Sequence, residues 1–427
     1  MITPEYLNEI MFYVEDKLID VDNYILRKVV ERIIKTFETG EKTNLLIPST
    51  KADIRRLMAS GVLYEDILKE VQKQLPHISG AIKEAFYRSA WEINKQNVDI
   101  SRQIVELENL DINIPAMEFV EYPKSASDLH MTKAEIRLLE SAYRRTNREM
   151  VNMVNTMPQK AYESYIQACD NAFMRINAGV SYQTAVLDAI KEVSDKGTQI
   201  EFRGRTDNIE VAVARAVRTG INQANGDITI LGCAEKGISC VKTSSHIGAR
   251  VTDYDDYTNH SLWQGRVFLL DLDNSDLAEY KDLIADNEQG FEWMAQMRQK
   301  LSELQKQYDY PDFMESCGYG KIQGICGINC RHSFYQFYPG IQLDDDSRPD
   351  LSENEDVYKN TQKQRKMEVA IRKTKRELEG LKASGMYTEE FKAEKRRLRQ
   401  KLSAQTEKYM SFCQENNLKP RNMALKV

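Results

Sequence analysis

Thr132 stands three residues before Glu135 at the head of an apolar repeat, and this pairing restricts the chain more than any other stretch of it. In such a capping box the threonine hydroxyl accepts from the glutamate backbone amide and the glutamate carboxylate accepts from the threonine amide. Two of the free amides at a helix N-terminus are thereby satisfied. Behind the box Ile136, Leu139, Tyr143, Met150, Val154 and Met157 recur at helical spacing. Pro158, with its ring and missing N–H, breaks or kinks the run. Asn177 and Gly179 form a stop, and Ser181 opens another helix carrying Ala185, Leu187 and Ile190. Residues 131–195 are expected to form a helical arm or layer.

On either side the pattern changes. Residues 1 to about 120 read as short helices. In Asp22–Thr36, Ile25, Val29, Ile33 and Ile34 share one face opposite charges. Shorter patterns run through Lys51–Met58, where Ile54 and Leu57 pair, and through Glu65–Leu75, and Pro115 and Pro123 bracket a closing loop. Near Gly204 the chain becomes mixed. A helix at Ile209–Gln223 precedes strand-like pieces at Ser239–Ser244, Arg266–Leu270 and Ser333–Tyr338, with a helix at Glu292–Tyr308 between them. Glycines cluster at 318, 320, 324, 327 and 340. From Asp356 onward two charged helices, near 357–382 and 388–416, are joined around Gly385. The expected fold is α+β and predominantly helical: an N-terminal helical region (1–122), a long-helix arm (123–203), a small central α+β domain (204–345) and a C-terminal basic helical hairpin (346–427). No internal repeat or low-complexity linker interrupts it.

The bulk properties exclude several classes. A hydrophobic content of 41% with 29% charged residues is too apolar for general disorder and too polar for a membrane protein. The N-terminal stretch lacks the basic region and apolar core of a secretory leader, and no apolar run approaches the ~20 residues needed to span a bilayer. Seven irregularly spaced cysteines do not suit a secreted disulfide framework, so a reducing cytoplasm is the expected compartment of assembly. The net charge of −6 is mild, but its distribution is not. Lys359–Lys401 holds fifteen Lys/Arg against six Asp/Glu, +9 locally, which leaves −15 for the remainder.

Chemistry-bearing residues concentrate in two stretches. In Cys326–Gly340, Cys326, Cys330 and His332, with Cys317, His246 or His260 as a fourth donor, have the residue types of a tetrahedral zinc site. The alternative is that the cysteines are small buried hydrophobes. In Ser244–Phe268, the residues His246, Arg250, His260, Trp263, Gln264 and Arg266 could bind a phosphate or a base with the tryptophan as stacking surface. They could equally lock a loop through side-chain hydrogen bonds around one aromatic plug. The glycine-rich GYGKIQGICG could cradle phosphate through its amides or simply turn around a core. Enzyme signatures are sparse. There is no P-loop lysine motif, HExxH or GxSxG. Asp271–Asp282 fails as a calcium loop at its sixth and twelfth positions. The order Arg218, then Thr243-Ser244-Ser245, then Glu353-Asn354-Glu355 matches the loose pattern of an ADP-ribosyltransferase, and a metal-dependent hydrolase built on the Cys/His cluster is the other enzymatic reading. The basic hairpin is either an ordinary solvated face or one that needs an anion nearby. That anion would be DNA phosphate at Lys363, Arg365, Arg372, Lys375, Arg376, Lys395, Arg396 and Arg399, the acidic remainder of the chain, or an acidic partner.

Taken together, Ala212–Asn225, Val241–Arg250, His260–Phe268 and Tyr310–Ile341 resemble the minor capsid, or head-morphogenesis, proteins of tailed bacteriophages in the Mu F-like grouping. Thr361–Leu378 is similar to that group's basic tail helix. The resemblance covers roughly 204–382. It marks Arg218, Asn222, His246, Arg250, His260, Trp263, Gln264, Gly265, Cys326, Cys330, Arg331, His332 and Pro339 as family-like positions. Related proteins often carry Cys-Arg-Cys where this chain has Cys330-Arg331-His332. The resemblance implies a non-enzymatic, low-copy head component that contacts portal or coat subunits, needs no cofactor beyond a candidate structural zinc, and lies in the virion with packaged DNA near and no membrane. The arginine-bearing helix is expected to pack beside the histidine–tryptophan block and the Cys330/His332 turn.

Overall fold

A computed structural model describes residues 3–41, 49–117, 123–196, 199–202, 205–271, 280, 283, 290–341, 348–422 and 425–427. The expected pairing of Ile54 with Leu57, the change of character at Gly204 and most of Asp271–Asp282 lie outside the described residues and side chains. The protein is a predominantly helical α+β structure with small antiparallel sheets. In chain order the elements are α1 (Pro4–Glu41), α2 (Ser49–Leu107), α3 (Lys133–Asn155), α4 (Met157–Asn177), α5 (Tyr182–Lys196), β1 (Gln199–Phe202), β2 (Arg205–Asn208) and α6 (Ile209–Lys236). They continue with β3 (Cys240–Thr243), α7 (His260–Trp263), β4 (Val267–Leu269), α8 (Glu292–Glu303), α9 (Phe313–Cys317), β5 (Phe334–Phe337), α10 (Leu351–Ala383) and α11 (Glu389–Glu415).

Local signals hold where they were strongest. Thr132 N donates to Glu135 Oε2 at 2.8 Å and Glu135 N donates to Thr132 Oγ1 at 3.2 Å, the two halves of the capping box. Pro158 falls in the first turn of α4, where its missing N–H costs nothing. The N-terminal region differs from expectation: two long helices replace the short ones. In α2 the buried stripe of Leu63, Ile67, Val71, Ile78, Ile82, Phe86, Ile93, Ile100 and Ile104 keeps its phase past Pro76. An interior proline costs about 3 kcal/mol, while each buried aliphatic side chain contributes about 1.5–3 kcal/mol, so the stripe outweighs the break. Likewise α6 continues beyond Gln223 because Ile228, Ile230, Leu231 and Cys233 are buried.

The chain forms two compact units, each from three separate stretches: 1–12, 80–148 and 215–359 in the first, and 13–79, 149–214 and 360–427 in the second. The first contains the three-stranded sheet, ordered β4-β3-β5, with β3 antiparallel to both neighbours. Val241 pairs with Phe268 on one side and Gln336 on the other, and every residue of β3 is buried. Phe268, Phe313 and Phe334 pack in series, with ring centroids 6.4 and 4.6 Å apart. Ile100 and Ile104 of α2, Leu231 of α6 and Met297 of α8 complete this core. A polar group is enclosed as well: Lys236 Nζ donates to Gln336 Oε1 at 2.8 Å and lies over the Trp293 ring. Burial pushes the Glu135 carboxyl up and the Lys236 ammonium down, and the attraction between them favours the charged forms.

In the second unit Phe37 of α1 packs on Phe173 and Tyr182, and Thr36 Oγ1 shares a 2.6 Å hydrogen bond with the Tyr165 hydroxyl. The β1–β2 hairpin is in register from Gln199↔Asn208 to Phe202↔Arg205. The helical pair α10–α11 is locked by Gln364, whose amide donates to Tyr409 Oη and Lys419 O, and by the two-pronged Arg421–Glu368 ion pair. A Cβ at Gly380 would overlap Ser194 Oγ, which donates to Ile190 O, so α10 can approach α5 closely at this glycine without disturbing that bond. Beside it the buried Arg376 donates to Ser194 O and pairs with Asp22.

Truncating one member of that enclosed pair strands the other. Arg376→Met is expected to lower unfolding free energy by about 3–5 kcal/mol in urea titrations, while the double variant Asp22→Leu/Arg376→Met recovers most of the loss. Equal destabilisation by the single and double variants would contradict the coupling.

Candidate functional site

The site is built where β3 and β5 run past their paired ends. Ser244 N donates to Ser333 O at 2.8 Å, Ser244 Oγ accepts from Ser333 N at 3.0 Å, and Ser244 O accepts from Gly265 N. This clamps the segment that follows β3, which leads into α7, beside the glycine-rich segment that leads into β5. Within the latter, the amides of Lys321, Gly324, Ile325, Gly327, Ile328 and Cys330 all donate to carbonyls of residues 317–327. Those amides are committed to their own turns and are not available to cradle a phosphate. A Cβ at Gly324 would collide with the Gly318 carbonyl, which is why the turn can close only around glycine. Arg250 seals it from outside, donating through Nη1 to Gln323 O at 3.0 Å and through Nη2 to Ile328 O at 2.7 Å.

Three histidines and a tryptophan meet inside. His246 stacks on His332 with centroids 4.3 Å apart, and His260 and Trp263 meet the His332 ring nearly edge-on at 5.3 and 4.8 Å. Trp263 is buried, with Nε1 donating to Tyr257 O, so it acts as the aromatic plug of the loop and offers no stacking face to a base. Cys330 Sγ lies 3.7 Å from His332 Nδ1, and donor atoms of His260, Cys330 and His332 all fall within 4.8 Å of one another. Burial, with the Arg250 guanidinium adding repulsion, depresses His260 to about 3. Burial and the neighbouring imidazoles hold His332 well below its usual range, and burial also lowers His246. The thiols are pushed up by burial, Cys330 to about 11, and Cys317 and Cys326 are held well above the ordinary thiol range. The site is therefore neutral near pH 7, without a thiolate or an imidazolium.

Gln264 organises the polar half. Its Oε1 accepts from His246 N at 3.0 Å and faces His332 Nε2 at 3.3 Å, and its Nε2 donates to Asn354 Oδ1. Asn354, at the start of α10, also accepts from the amides of Gly248 and Ala249 and donates to Ala249 O. From α6, Asn222 Nδ2 donates to Cys330 O at 3.1 Å, so this helix does pack against the Cys330/His332 turn. Arg218, one helical turn earlier on α6, and Arg331 are half-buried. Cys326 Sγ contacts the His332 carbonyl that Cys330 Sγ also reaches.

The other candidates sit elsewhere. Ser244 is a strut between strands, and Glu355 pairs with Lys359 on the surface of α10. In the second unit the basic face is only partly a face. Arg376 is buried against Asp22, which removes it from any DNA-proximal surface, and Arg372 is largely covered and pairs with Glu210. Lys375 donates to Leu425 O, and Lys395 to Met386 O. Lys363, Arg396 and Arg399 are exposed, while Arg365 is half-buried.

Asn354, Gln323 and Arg348 were not singled out in the sequence, although Arg348 donates to the carbonyls of Ser261 and Leu262 and so holds α7. The tripeptide Glu353-Asn354-Glu355 draws attention to its carboxylates, whereas its middle residue is the one enclosed in unit one. Asn354→Ala leaves the Gly248 and Ala249 amides without their acceptor. It should cost about 1–3 kcal/mol for each stranded group and speed hydrogen exchange selectively at those two amides. Unchanged exchange there would contradict the role assigned to Asn354.

No curated protein and no solved structure matches the chain. A family model described as Phage minor capsid protein 2 matches residues 2–409, which takes in nearly all of both compact units. On that match, the chain belongs to the phage minor capsid protein 2 family.

Proposed function

We propose that the protein is a low-copy structural component of the phage head, associated with the portal vertex or the capsid interior, where it assists head assembly and DNA packaging or delivery. The family match across residues 2–409 carries this reading, since it spans the whole architecture and not one grafted module. The geometry agrees with a scaffolding role. The family-like polar residues spend their hydrogen bonds on one another and on backbone: Arg250 on two carbonyls, Asn222 on Cys330, Gln264 on His246 and Asn354. Such a network holds loops in shape. Ser244 and Glu355 are engaged with Ser333 and Lys359, which does not favour transferase chemistry.

Its partners in this reading are the portal protein and the major capsid protein, and its place is the virion after assembly in the host cytoplasm. No helix among the described residues is long and apolar enough to cross a membrane. Packaged DNA would meet the exposed cations Lys363, Arg396 and Arg399 of the hairpin, with Lys395 at their margin. Such contact would be sequence-independent and weakened by salt.

Quantitative peptide mass spectrometry on gradient-purified particles should find the chain at copy numbers well below the major coat protein. Absence from both procapsids and mature heads would overturn the structural reading. For the hairpin, the triple variant Lys363→Ala/Arg396→Ala/Arg399→Ala should reduce the slope of log affinity against log salt on duplex DNA by about 3, near one per lost phosphate contact. An unchanged slope would remove these three residues from any DNA interface.

A further inference from the structure

The buried cluster at the head of β5 has the form of a metal centre, and its hydrogen bonds say which atoms are prepared to ligate. His260 Nε2 lies 2.9 Å from Gln323 O, and His332 Nε2 lies 3.3 Å from Gln264 Oε1. Both partners are oxygen acceptors; Gln264 Oε1 also accepts from His246 N, which fixes the orientation of that amide. Each Nε2 must therefore carry the proton, and each Nδ1 must carry a lone pair. Metal-ligating histidines are held in this way, with the second ring nitrogen donating to a carbonyl or carboxylate that fixes the tautomer and the ring plane.

The spacing fits as well. Zinc–sulfur and zinc–nitrogen bonds of about 2.3 and 2.05 Å at a tetrahedral angle set sulfur and nitrogen about 3.6 Å apart. Cys330 Sγ and His332 Nδ1 are 3.7 Å apart. One donor atom from each of His260, Cys330 and His332 lies within 4.8 Å of the other two. Beside them the buried Nε2 of His246 has no hydrogen-bond partner among the described residues, on a ring stacked against His332. Apolar packing explains a buried cysteine; it does not explain an orphaned imidazole nitrogen next to two imidazoles with fixed tautomers.

We propose that His260, Cys330 and His332 bind a structural Zn2+ ion. The three ligands come from α7 and from the short stretch that enters β5, so the ion would clasp two pieces of chain that otherwise meet through ring contacts and hydrogen bonds. Exposures of 1%, 6% and 1% for His260, Cys330 and His332 leave no room for a substrate, which makes the ion structural and not catalytic. Cys330 ligates as the thiolate, and the proton it gives up passes to the solvent as the S–Zn bond forms.

The full-length chain, purified under reducing conditions without chelator, should carry about one zinc per chain by elemental mass spectrometry. Metal-free wild-type protein titrated with Co2+ should develop a thiolate-to-cobalt charge-transfer band together with the visible absorption of a tetrahedral site. Cys330→Ser should abolish the charge-transfer band. His260→Asn and His332→Asn should each weaken Zn2+ retention against a chromophoric chelator by roughly tenfold or more. Cys169→Ser, at a cysteine within α4, should change neither. A folded wild-type chain that takes up neither Zn2+ nor Co2+ overturns the proposal whatever the variants do. So does a charge-transfer band that survives Cys330→Ser.

Discussion

One amide, the side chain of Gln264, closes the loop layer of the first unit. It accepts from the backbone of His246, faces the ring of His332 and donates to Asn354, so three stretches distant in sequence depend on a single fully buried group. A buried amide with unmet donors or acceptors costs about 1–3 kcal/mol for each, and inside a protein the bonds of a satisfied network polarise one another. The layer is therefore all-or-none in character. Arg250, Asn222 and Arg348 then add bonds from side chain to backbone that are available only once the loops are already in place.

The second unit answers a different problem, the accumulation of positive charge on α10 and α11. The chain meets much of that charge with its own acids. Glu210 faces Arg372, Asp195 faces Lys373, Asp22 faces Arg376, and Glu394 receives both Lys191 and Arg397. Hydrogen bonding from Arg397, supported by Lys191, holds the Glu394 carboxyl down at about 2. The exposed members of this set contribute little individually; the enclosed Asp22–Arg376 pair matters because neither charge can be left alone. Of the three anions that could have balanced the hairpin, the acidic remainder of the chain is thus present in the fold, and only the outward-facing cations are left for others.

Much of the architecture was legible because it rests on local chemistry. The capping box, the proline at the first turn of α4, the three strands and the turn at Gly385 each depend on a few adjacent residues, and the structure has them where the pattern placed them. The meeting of His246, His260, Trp263 and His332 was partly legible, through residue types and the family resemblance. The length of α2 was not, since a proline is read locally as a break and only burial along both flanking stretches keeps the helix going. Arg376 misled for the same reason: a cation on a charged helix looks solvated until a second helix covers it.

By itself the sequence determined the helical α+β class, the order of the three central strands and the closing pair of charged helices, and membership in a recognisable group, because periodicity, caps and turn residues act over a few positions and survive any tertiary arrangement. The pairing of distant polar groups was decided only by the tertiary structure. Asn354 closes over Gly248, Gln323 fixes the tautomer of His260, and Asp22 neutralises Arg376, and no spacing along the chain encodes which buried donor will meet which acceptor. That choice is made when burial removes water as the alternative partner, and it is made by the packing of the whole unit.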